Sequence, residues 1–162
     1  MRGGLPGGAG VHHVEQVPPA DWIDWWPLMK AMGSDDSAIR AVPRFEAMAH
    51  DPHWCVLGAW TDGRRSGYAA VQDLGTHIRH GDAHRMARLH DLFVDEEFRG
   101  RGIGRALMEA VIDWARTRVR YLEWQAGAET SAPFYEHLGY RGLAYPQPDH
   151  PTFDLDLRTV DR

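Results

Sequence analysis

A loop rich in glycine and arginine is the segment whose residue types most clearly predict chemistry. Residues 99–105 read RGRGIGR, and apolar residues at three- and four-residue spacing follow them, as in an amphipathic helix over 102–117. Glycine lets the backbone approach a ligand closely, and the first N–H groups of a helix attract anions. Arg99, Arg101 and Arg105 can add charge-assisted hydrogen bonds. The sequence therefore predicts a phosphate-binding loop.

Three kinds of phosphate site use such a loop. A nucleoside triphosphate loop needs a Lys after its last glycine, and this sequence has none there. A dinucleotide fingerprint needs a third glycine where Arg105 stands, although Glu123 does lie where its ribose-binding acid belongs. Only 60 residues follow Gly102, and these are too few for the remaining parallel strands of a dinucleotide-binding fold. The pattern Arg-x-x-Gly-x-Gly, formed by Arg99, Gly102 and Gly104, suits a pyrophosphate between a strand and a helix.

The elements around the loop predict an α+β fold with three α/β/α layers. Alternating or β-rich segments predict strands at residues 11–17, 53–60, 67–74, 86–94, 121–125 and 152–157. Helices are predicted from residue 21, over 34–49, over 102–117 and over 130–137. Pro27 either kinks the first helix or marks its start, and Ser34 or Asp35 is expected to cap the second. Thr61-Asp62-Gly63 predicts a hairpin turn.

Composition limits the function classes. The formal net charge of −5 argues against a general nucleic-acid-binding role, and no apolar run is long enough to span a bilayer. The single cysteine, Cys55, excludes an intrachain disulfide and favours a cytoplasmic setting. Residues 1–10, rich in Gly and Pro, are expected to form a flexible tail before a single domain over 11–162.

Two motifs at matching spacing resemble the GNAT superfamily of acyl-CoA-dependent N-acetyltransferases. They are the strand and loop LHDLFV (89–94) and FRGRGIG (98–104), and the later block APFYEHLGY (132–140). The order of elements matches the family over about residues 11–157. The resemblance implies a mixed, mostly antiparallel central sheet whose strands splay apart, flanked by helices. It also implies acetyl transfer from acetyl-CoA to an amine by direct attack, with no metal.

The resemblance assigns the acetyl-CoA site to the strand end and the loop. The strand end offers backbone groups to the pantetheine arm and the thioester carbonyl; its residues are Leu92, Phe93 and Val94. The loop and the start of its helix take the pyrophosphate; their residues are Arg99, Gly100, Arg101, Gly102, Ile103, Gly104 and Arg105.

Two proton movements accompany the reaction. Tyr135 matches the tyrosine of the family's Phe-Tyr block and is the candidate acid toward the CoA sulfur; its alternative role is a packed core aromatic. His90 is the candidate base, because the similar spermidine/spermine N-acetyltransferases carry an acidic residue there and a neutral imidazole suits pH 7. Ordered water is the alternative base. Asp91 lies on the opposite face unless the strand bulges and turns it into the site.

The first two helices are expected to form the acceptor pocket, as in the family. They carry aromatic and acidic residues that suit a cationic amine: Trp22, Trp25, Trp26, Asp35, Asp36 and Glu46. The candidates for binding substrate are Trp26, Asp35 and Asp91. The helical spacing of the tryptophans also indicates a core face, and Asp35 and Asp36 also suit a helix cap.

The predicted function is N-acetylation of a small-molecule primary amine by acetyl-CoA. The alternatives are a protein or peptide N-acetyltransferase and a non-catalytic acyl-CoA-binding sensor. His77, His80 and His84 have near-ligand spacing, but a predicted turn interrupts them, so no metal is expected. Neither a nucleic-acid nor a membrane partner is expected. A homodimer is left open because dimers are common in the family, and the sequence does not specify the acceptor amine.

Overall fold

A mixed sheet forms the centre of the molecule. The computed structural model describes residues 12–159, and the predicted tail over 1–10 lies outside them. Within the described residues the strands follow each other across the sheet in chain order: β1 (His12–Gln16), β2 (Trp54–Thr61), β3 (Arg64–Asp73), β4 (Met86–Val94), β5 (Tyr121–Gln125) and β6 (Thr152–Asp156). Every neighbouring pair is antiparallel except β4 and β5, which are parallel. The predicted mixed, mostly antiparallel sheet is confirmed.

Helices cover both faces of this sheet, which confirms the three-layer prediction. One face carries a 3-10 helix (Pro19–Trp25), α1 (Trp26–Gly33) and α2 (Ala38–Met48). Its core includes Trp22, Trp25, Leu28, Val56 and Tyr68. The other face carries α3 (Ile103–Arg116) and α4 (Ala132–His137). Its core includes Ile103, Leu107, Val111, Trp124, Tyr135 and Phe153. Among residues 12–159 no helix has the length and apolar character needed to cross a membrane.

Local signals located the hairpin and the first helix better than the second helix. Asp62 and Gly63 have φ values of 52° and 75°, the left-handed pair that a two-residue hairpin turn requires. Pro27 lies in the first turn of α1, where its missing N–H costs no hydrogen bond, so it marks the start of the helix. The predicted cap at Ser34 or Asp35 is wrong. α2 begins at Ala38, after Ser37, because the backbone N–H of residue 36 turns back to the Ser34 hydroxyl at 3.1 Å.

The strands β4 and β5 separate after a short parallel pairing. They are paired from Met86↔Tyr121 to Arg88↔Glu123, and no later pair joins them in the described part of the chain. β4 continues along β3 with a bulge, since Ala70 pairs with Asp91 and the next residue of β3 pairs with Leu89. The predicted splay is therefore confirmed, and the bulge occurs where the gap opens.

Candidate active site

A cleft of about 820 Å³ opens where β4 and β5 separate. Its walls come from β4, the glycine loop, the start of α3, the end of β5 and α4. Nine of the predicted cofactor-binding residues line it: Leu92, Phe93, Val94, Arg99, Gly100, Gly102, Ile103, Gly104 and Arg105. The two predicted catalytic residues, Tyr135 and His90, line it as well. The fold thus brings both sequence motifs to one cavity.

The glycine loop aims the N-terminus of α3 into this cleft. Gly102 precedes the helix with φ 83°, a left-handed conformation that strains residues with a side chain. The first α3 bond runs from the Ala106 N–H to the Gly102 carbonyl, so the preceding N–H groups have no partner inside the helix. Gly104 allows close packing, because a Cβ there would lie 2.9 Å from the Phe134 ring. The loop therefore presents unpaired N–H groups and a positive helix end to an anion.

The three loop arginines have different orientations. The Arg99 Nε donates to the Val94 carbonyl at 3.0 Å, which holds the guanidinium at the end of β4. Arg105 is exposed and lines the cleft. Arg101 does not line the cleft, and its role at the pyrophosphate stays a prediction. Its guanidinium lies 5.4 Å from the centre of the Phe98 ring and 3.9 Å from the carboxylate of Asp62, because the left-handed turn directs it toward the hairpin.

Tyr135 belongs to the core and also lines the cleft. Its side chain is 5% exposed, and its ring lies 5.0 Å from that of Phe134 and 5.3 Å from that of Trp124. Its hydroxyl has no hydrogen-bond partner among residues 12–159. Burial raises the pKa of Tyr135, and the negative charge of Asp91 acts in the same direction. The phenol therefore stays protonated at neutral pH and can donate to a ligand.

His90 is the extra residue of the β4 bulge and is exposed at the cleft. Its Nε2 lies 2.9 Å from the Gln72 Oε1, and its ring stacks on Trp54 with centroids 5.0 Å apart. Desolvation by these neighbours lowers the pKa of His90, the charge of Arg88 lowers it further, and that of Asp91 opposes the shift. The imidazole is therefore neutral at pH 7. In the tautomer that donates Nε2–H to Gln72, the Nδ1 lone pair accepts a proton.

The bulge turns Asp91 to the same face of the sheet as His90. Its carboxylate accepts a hydrogen bond of 2.9 Å from the hydroxyl of Tyr68, and that hydroxyl lies 3.3 Å from the sulfur of Met32 at the end of α1. Asp91 does not itself line the cleft, but its charge acts on both Tyr135 and His90. The bulge expected in one of the two alternatives is present, but it does not bring the Asp91 side chain into the lining of the cleft.

The other two predicted substrate residues do not reach the cleft. Trp26 is 7% exposed and packs its ring against Phe45, with the guanidinium of Arg44 5.8 Å from its centre. Asp35 is exposed in the loop before α2. Trp26 therefore lies on the core face that the tryptophan spacing also indicated, and the substrate-binding role of both residues stays a prediction. Met32 is the α1 residue that lines the cleft.

The sequence analysis did not identify the polar and aromatic residues that contact His90 and that join β4 to β5 beside the cleft. Gln72 and Trp54 are paired across β2 and β3 and flank His90. Arg88 donates to the carboxylate of Glu123 at 2.9 Å and to the side-chain oxygen of Gln125 at 3.2 Å. A sequence signal for Gln72 and Trp54 existed: the hairpin register pairs them, and paired residues of neighbouring strands point to the same face of the sheet. The parallel pairing that brings Arg88 to β5 has no local sequence signal.

The histidines before β4 form a stacked group outside the cleft. The ring centroids of His77 and His80 are 5.1 Å apart, and those of His80 and His84 are 4.5 Å apart. The Nδ1 of His77 accepts from the backbone N–H groups of Arg79 and His80, which removes one potential metal ligand. Within residues 12–159 no three His, Cys, Asp or Glu side chains have an arrangement that could hold a metal ion.

Comparison with known families identifies one match that spans most of the chain. The family described as "Acetyltransferase (GNAT) family" matches residues 20–140. The matched region includes every residue that the site comprises, from Met32 to Leu138.

Two curated relatives and one solved structure extend this match. The chain is 32% identical to the N-alpha-acetyltransferase RimI of Mycobacterium tuberculosis over 68% of its own length and 67% of the relative's. It is 30% identical to an uncharacterised protein of Mycobacterium leprae over 92% of its own length, but it spans only 40% of that protein. The aminoglycoside N-acetyltransferase AAC(6')-Iy, solved with CoA, superposes with a TM-score of 0.68 at 20% identity, covering 83% of this chain and 89% of that one. This likeness confirms the predicted fold.

Proposed function

Because the chain belongs to the GNAT acetyltransferase family, we propose that it transfers the acetyl group of acetyl-CoA to a primary amine of a small molecule. The observation that carries the proposal is the joining of the glycine loop, Tyr135 and His90 in one cleft. Family membership confirms the predicted class, an acetyltransferase. The two named relatives differ in acceptor, one being an N-alpha-acetyltransferase and the other an aminoglycoside N-acetyltransferase.

The donor half of the proposal is supported by backbone geometry. The pyrophosphate of acetyl-CoA binds the unpaired N–H groups at the start of α3, with Arg99 and Arg105 beside it. The β4 edge over Leu92–Val94 has no strand partner on the side of the gap in the described chain. Apart from the Val94 carbonyl, which accepts from Arg99, its backbone groups can bind the pantetheine arm and the thioester.

The chemistry requires two protons to leave the acceptor nitrogen, one before it attacks and one as the amide forms, and one proton to reach the sulfur. His90 accepts the proton of the acceptor ammonium at Nδ1, directly or through water, and the neutral nitrogen attacks the thioester carbonyl carbon. The tetrahedral intermediate collapses, the C–S bond breaks, and the leaving CoA sulfur takes the Tyr135 proton. The second proton, which the attacking nitrogen loses as the amide forms, returns to the Tyr135 oxygen through water and restores the phenol. The lowered pKa of His90 and the raised pKa of Tyr135 keep each group in the form that this step requires at neutral pH.

The acceptor half favours a compact cationic amine. The Met32 side chain extends from α1 to the Tyr68 hydroxyl and lines the cleft there. Met32 therefore narrows the acceptor side of the cleft. The carboxylate of Asp91 does not line the cleft, but its negative charge acts on this side of it and favours a positively charged acceptor. The single cysteine supports a cytoplasmic setting, and a homodimer stays a prediction for light scattering to test.

The 32% identity to the N-alpha-acetyltransferase RimI favours a second candidate, acetylation of a peptide N-terminus. The two share the donor half and the proton-transfer groups. The two candidate reactions differ only in the acceptor that enters the cleft past Met32, a small amine or a peptide N-terminus. The acceptor itself must therefore be tested.

Release of free thiol from acetyl-CoA tests both candidates on one panel of polyamines, aminoglycosides, amino acids and peptides with free N-termini. We expect release with small amines. Release with peptides alone would select the second candidate. Binding of acetyl-CoA without release on any acceptor would favour a non-catalytic sensor.

A pair of arginine variants tests the donor site separately. Arg105→Ala removes a charge beside the pyrophosphate, and we expect the acetyl-CoA KM to rise about tenfold. Arg40→Ala removes an exposed arginine of α2 that does not line the cleft, and it is the matched control. Equal KM values in the two variants would remove Arg105 from the donor site.

A further inference from the structure

A second pocket lies at the other end of α3 from the cleft. It has a volume of about 480 Å³, and four of its lining residues are arginines: Arg116, Arg118, Arg120 and Arg158. They come from the end of α3, the segment before β5 and the chain after β6. The pocket shares no lining residue with the cleft, and the 14 residues of α3 separate the two by about 20 Å.

The charge at this pocket is positive. Asp82 is the one acidic residue of its lining; it is exposed and already 3.5 Å from Arg85 and hydrogen-bonded to the hydroxyl of Thr76. Asp156 lies beside the pocket and pairs with Arg120 at 3.1 Å. Four guanidinium groups thus meet two carboxylates, of which Asp156 pairs with one of the four, so positive charge remains in excess at the pocket.

Two guanidinium donors here lack an acceptor within residues 12–159. The Nε atoms of Arg116 and Arg120 are buried and have no hydrogen-bond partner in the described part of the chain. A buried donor without an acceptor is unfavourable and rare, so it needs an explanation. Bound anions supply such acceptors, and arginine is the residue that most often binds phosphate oxygens in pairs.

Stabilisation of the helix end explains only one of the four arginines. Arg118 donates to the Trp114 carbonyl at 2.8 Å, and its guanidinium lies 4.5 Å from the Trp114 ring, so it caps the negative end of α3. Arg120 donates to the carbonyl of Ala83 at 3.4 Å, outside the helix. Arg116 and Arg158 contact no carbonyl of the helix end with their side chains in residues 12–159.

We propose that this arginine pocket binds a small phosphate-bearing molecule at a site separate from the acetyl-CoA cleft. Three elements hold the arginines, so the charge is concentrated before the ligand arrives. The volume lies within the range of small-molecule sites and exceeds that of a lone phosphate, which leaves room for an attached group. The inference does not depend on the acetyl-transfer reaction.

Inorganic phosphate at constant ionic strength is the probe, with binding measured by calorimetry on the full chain. The double variant Arg99→Ala/Arg105→Ala weakens phosphate binding at the cleft and serves as the background. In this background we expect phosphate to bind. Adding Arg116→Gln or Arg158→Gln should weaken that binding about tenfold or more. Arg40→Gln, on the exposed surface of α2, is the matched control and should leave it unchanged.

Arg158→Gln keeps the test decisive if Arg116→Gln does not fold, because Arg158 is exposed. The proposal is overturned if the background variant binds no phosphate. It is also overturned if both pocket variants bind phosphate as the control does, or if chloride at the same ionic strength produces the same heat.

Discussion

The two faces of the sheet form their halves of the cleft by different means. On the face covered by α3 and α4, the site is mostly backbone: the left-handed turn at Gly102, the free N–H groups of the helix and the edge of β4. On the face covered by α1 and α2, it depends on side chains: His90 lines the cleft, and Asp91 acts on it through its charge without lining it. The bulge sets their direction, and their hydrogen-bond partners, Gln72 and Tyr68, lie on β3.

This difference separates the recognition of donor and acceptor in the proposed reaction. Backbone groups and a helix end bind what every acyl-CoA has in common, so the donor half needs only a turn that glycine permits. Side chains set charge and shape, so the acceptor half is where a related chain can change its amine. Substitutions on the two faces are therefore expected to alter different kinetic constants.

The largest effect is expected for Tyr135→Phe, at the donor end of the reaction. The ring and its packing against Trp124 are kept, and only the proton donor is lost. We expect kcat to fall by about 10²- to 10⁴-fold while the acetyl-CoA KM stays the same. Thiol release measures kcat, and calorimetry measures binding of CoA.

Tyr140→Phe is the matched control for this variant. The ring of Tyr140 also contacts Trp124, at 5.3 Å, but it does not line the cleft. If both variants turn over like the wild type, Tyr135 has no role as an acid and acts only as a core aromatic.

A smaller effect, with a signature in the pH profile, is expected for His90→Gln. The base must be neutral, and the pKa of His90 lies below its ordinary value of about 6.5 because of desolvation and the charge of Arg88. The wild-type rate is therefore expected to be constant above this lowered pKa and to fall as pH drops through it. The variant should lose about 10²-fold in kcat/KM and should lack this acid limb.

His137→Gln provides the comparison, since His137 lines the cleft at the end of α4 and should keep the limb. An acid limb that persists in His90→Gln would assign the amine proton to water or to another group.

Local sequence signals predicted the donor half almost completely. The hairpin turn at Asp62-Gly63, the glycine loop and the amphipathic α3 each depend on residues close together in the chain. Turn chemistry and periodicity determine such features, so the order of the elements and the loop residues that line the donor side of the cleft were predictable. The direction of the Arg101 side chain was not predictable, because its contact with Asp62 joins two separate loops.

The acceptor half depends on pairing between distant segments, which no local pattern encodes. The bulge at His90 arises from the register of β4 against β3, and the orientation of Asp91 follows from it. Trp26 has the spacing of both a binding face and a core face, and only its packing against Phe45 distinguishes them. The arginine pocket has the same origin, since its members are brought together from three elements.

The smallest effect is expected for Asp91→Asn, which tests the separation of the two halves most directly. The amide oxygen can still accept from the hydroxyl of Tyr68, so the change removes charge and little else. A cationic amine loses an attractive charge near the surface, and we expect its KM to rise about five- to tenfold with the acetyl-CoA KM unchanged. The acid limb should also move to lower pH, because the charge of Asp91 raises the pKa of His90 in the wild type.

Tyr68→Phe keeps the charge and removes the hydrogen bond, so it should raise the amine KM less. A higher acetyl-CoA KM with an unchanged amine KM in Asp91→Asn would mean that the charge of Asp91 acts on the donor, and that one face of the sheet serves both substrates.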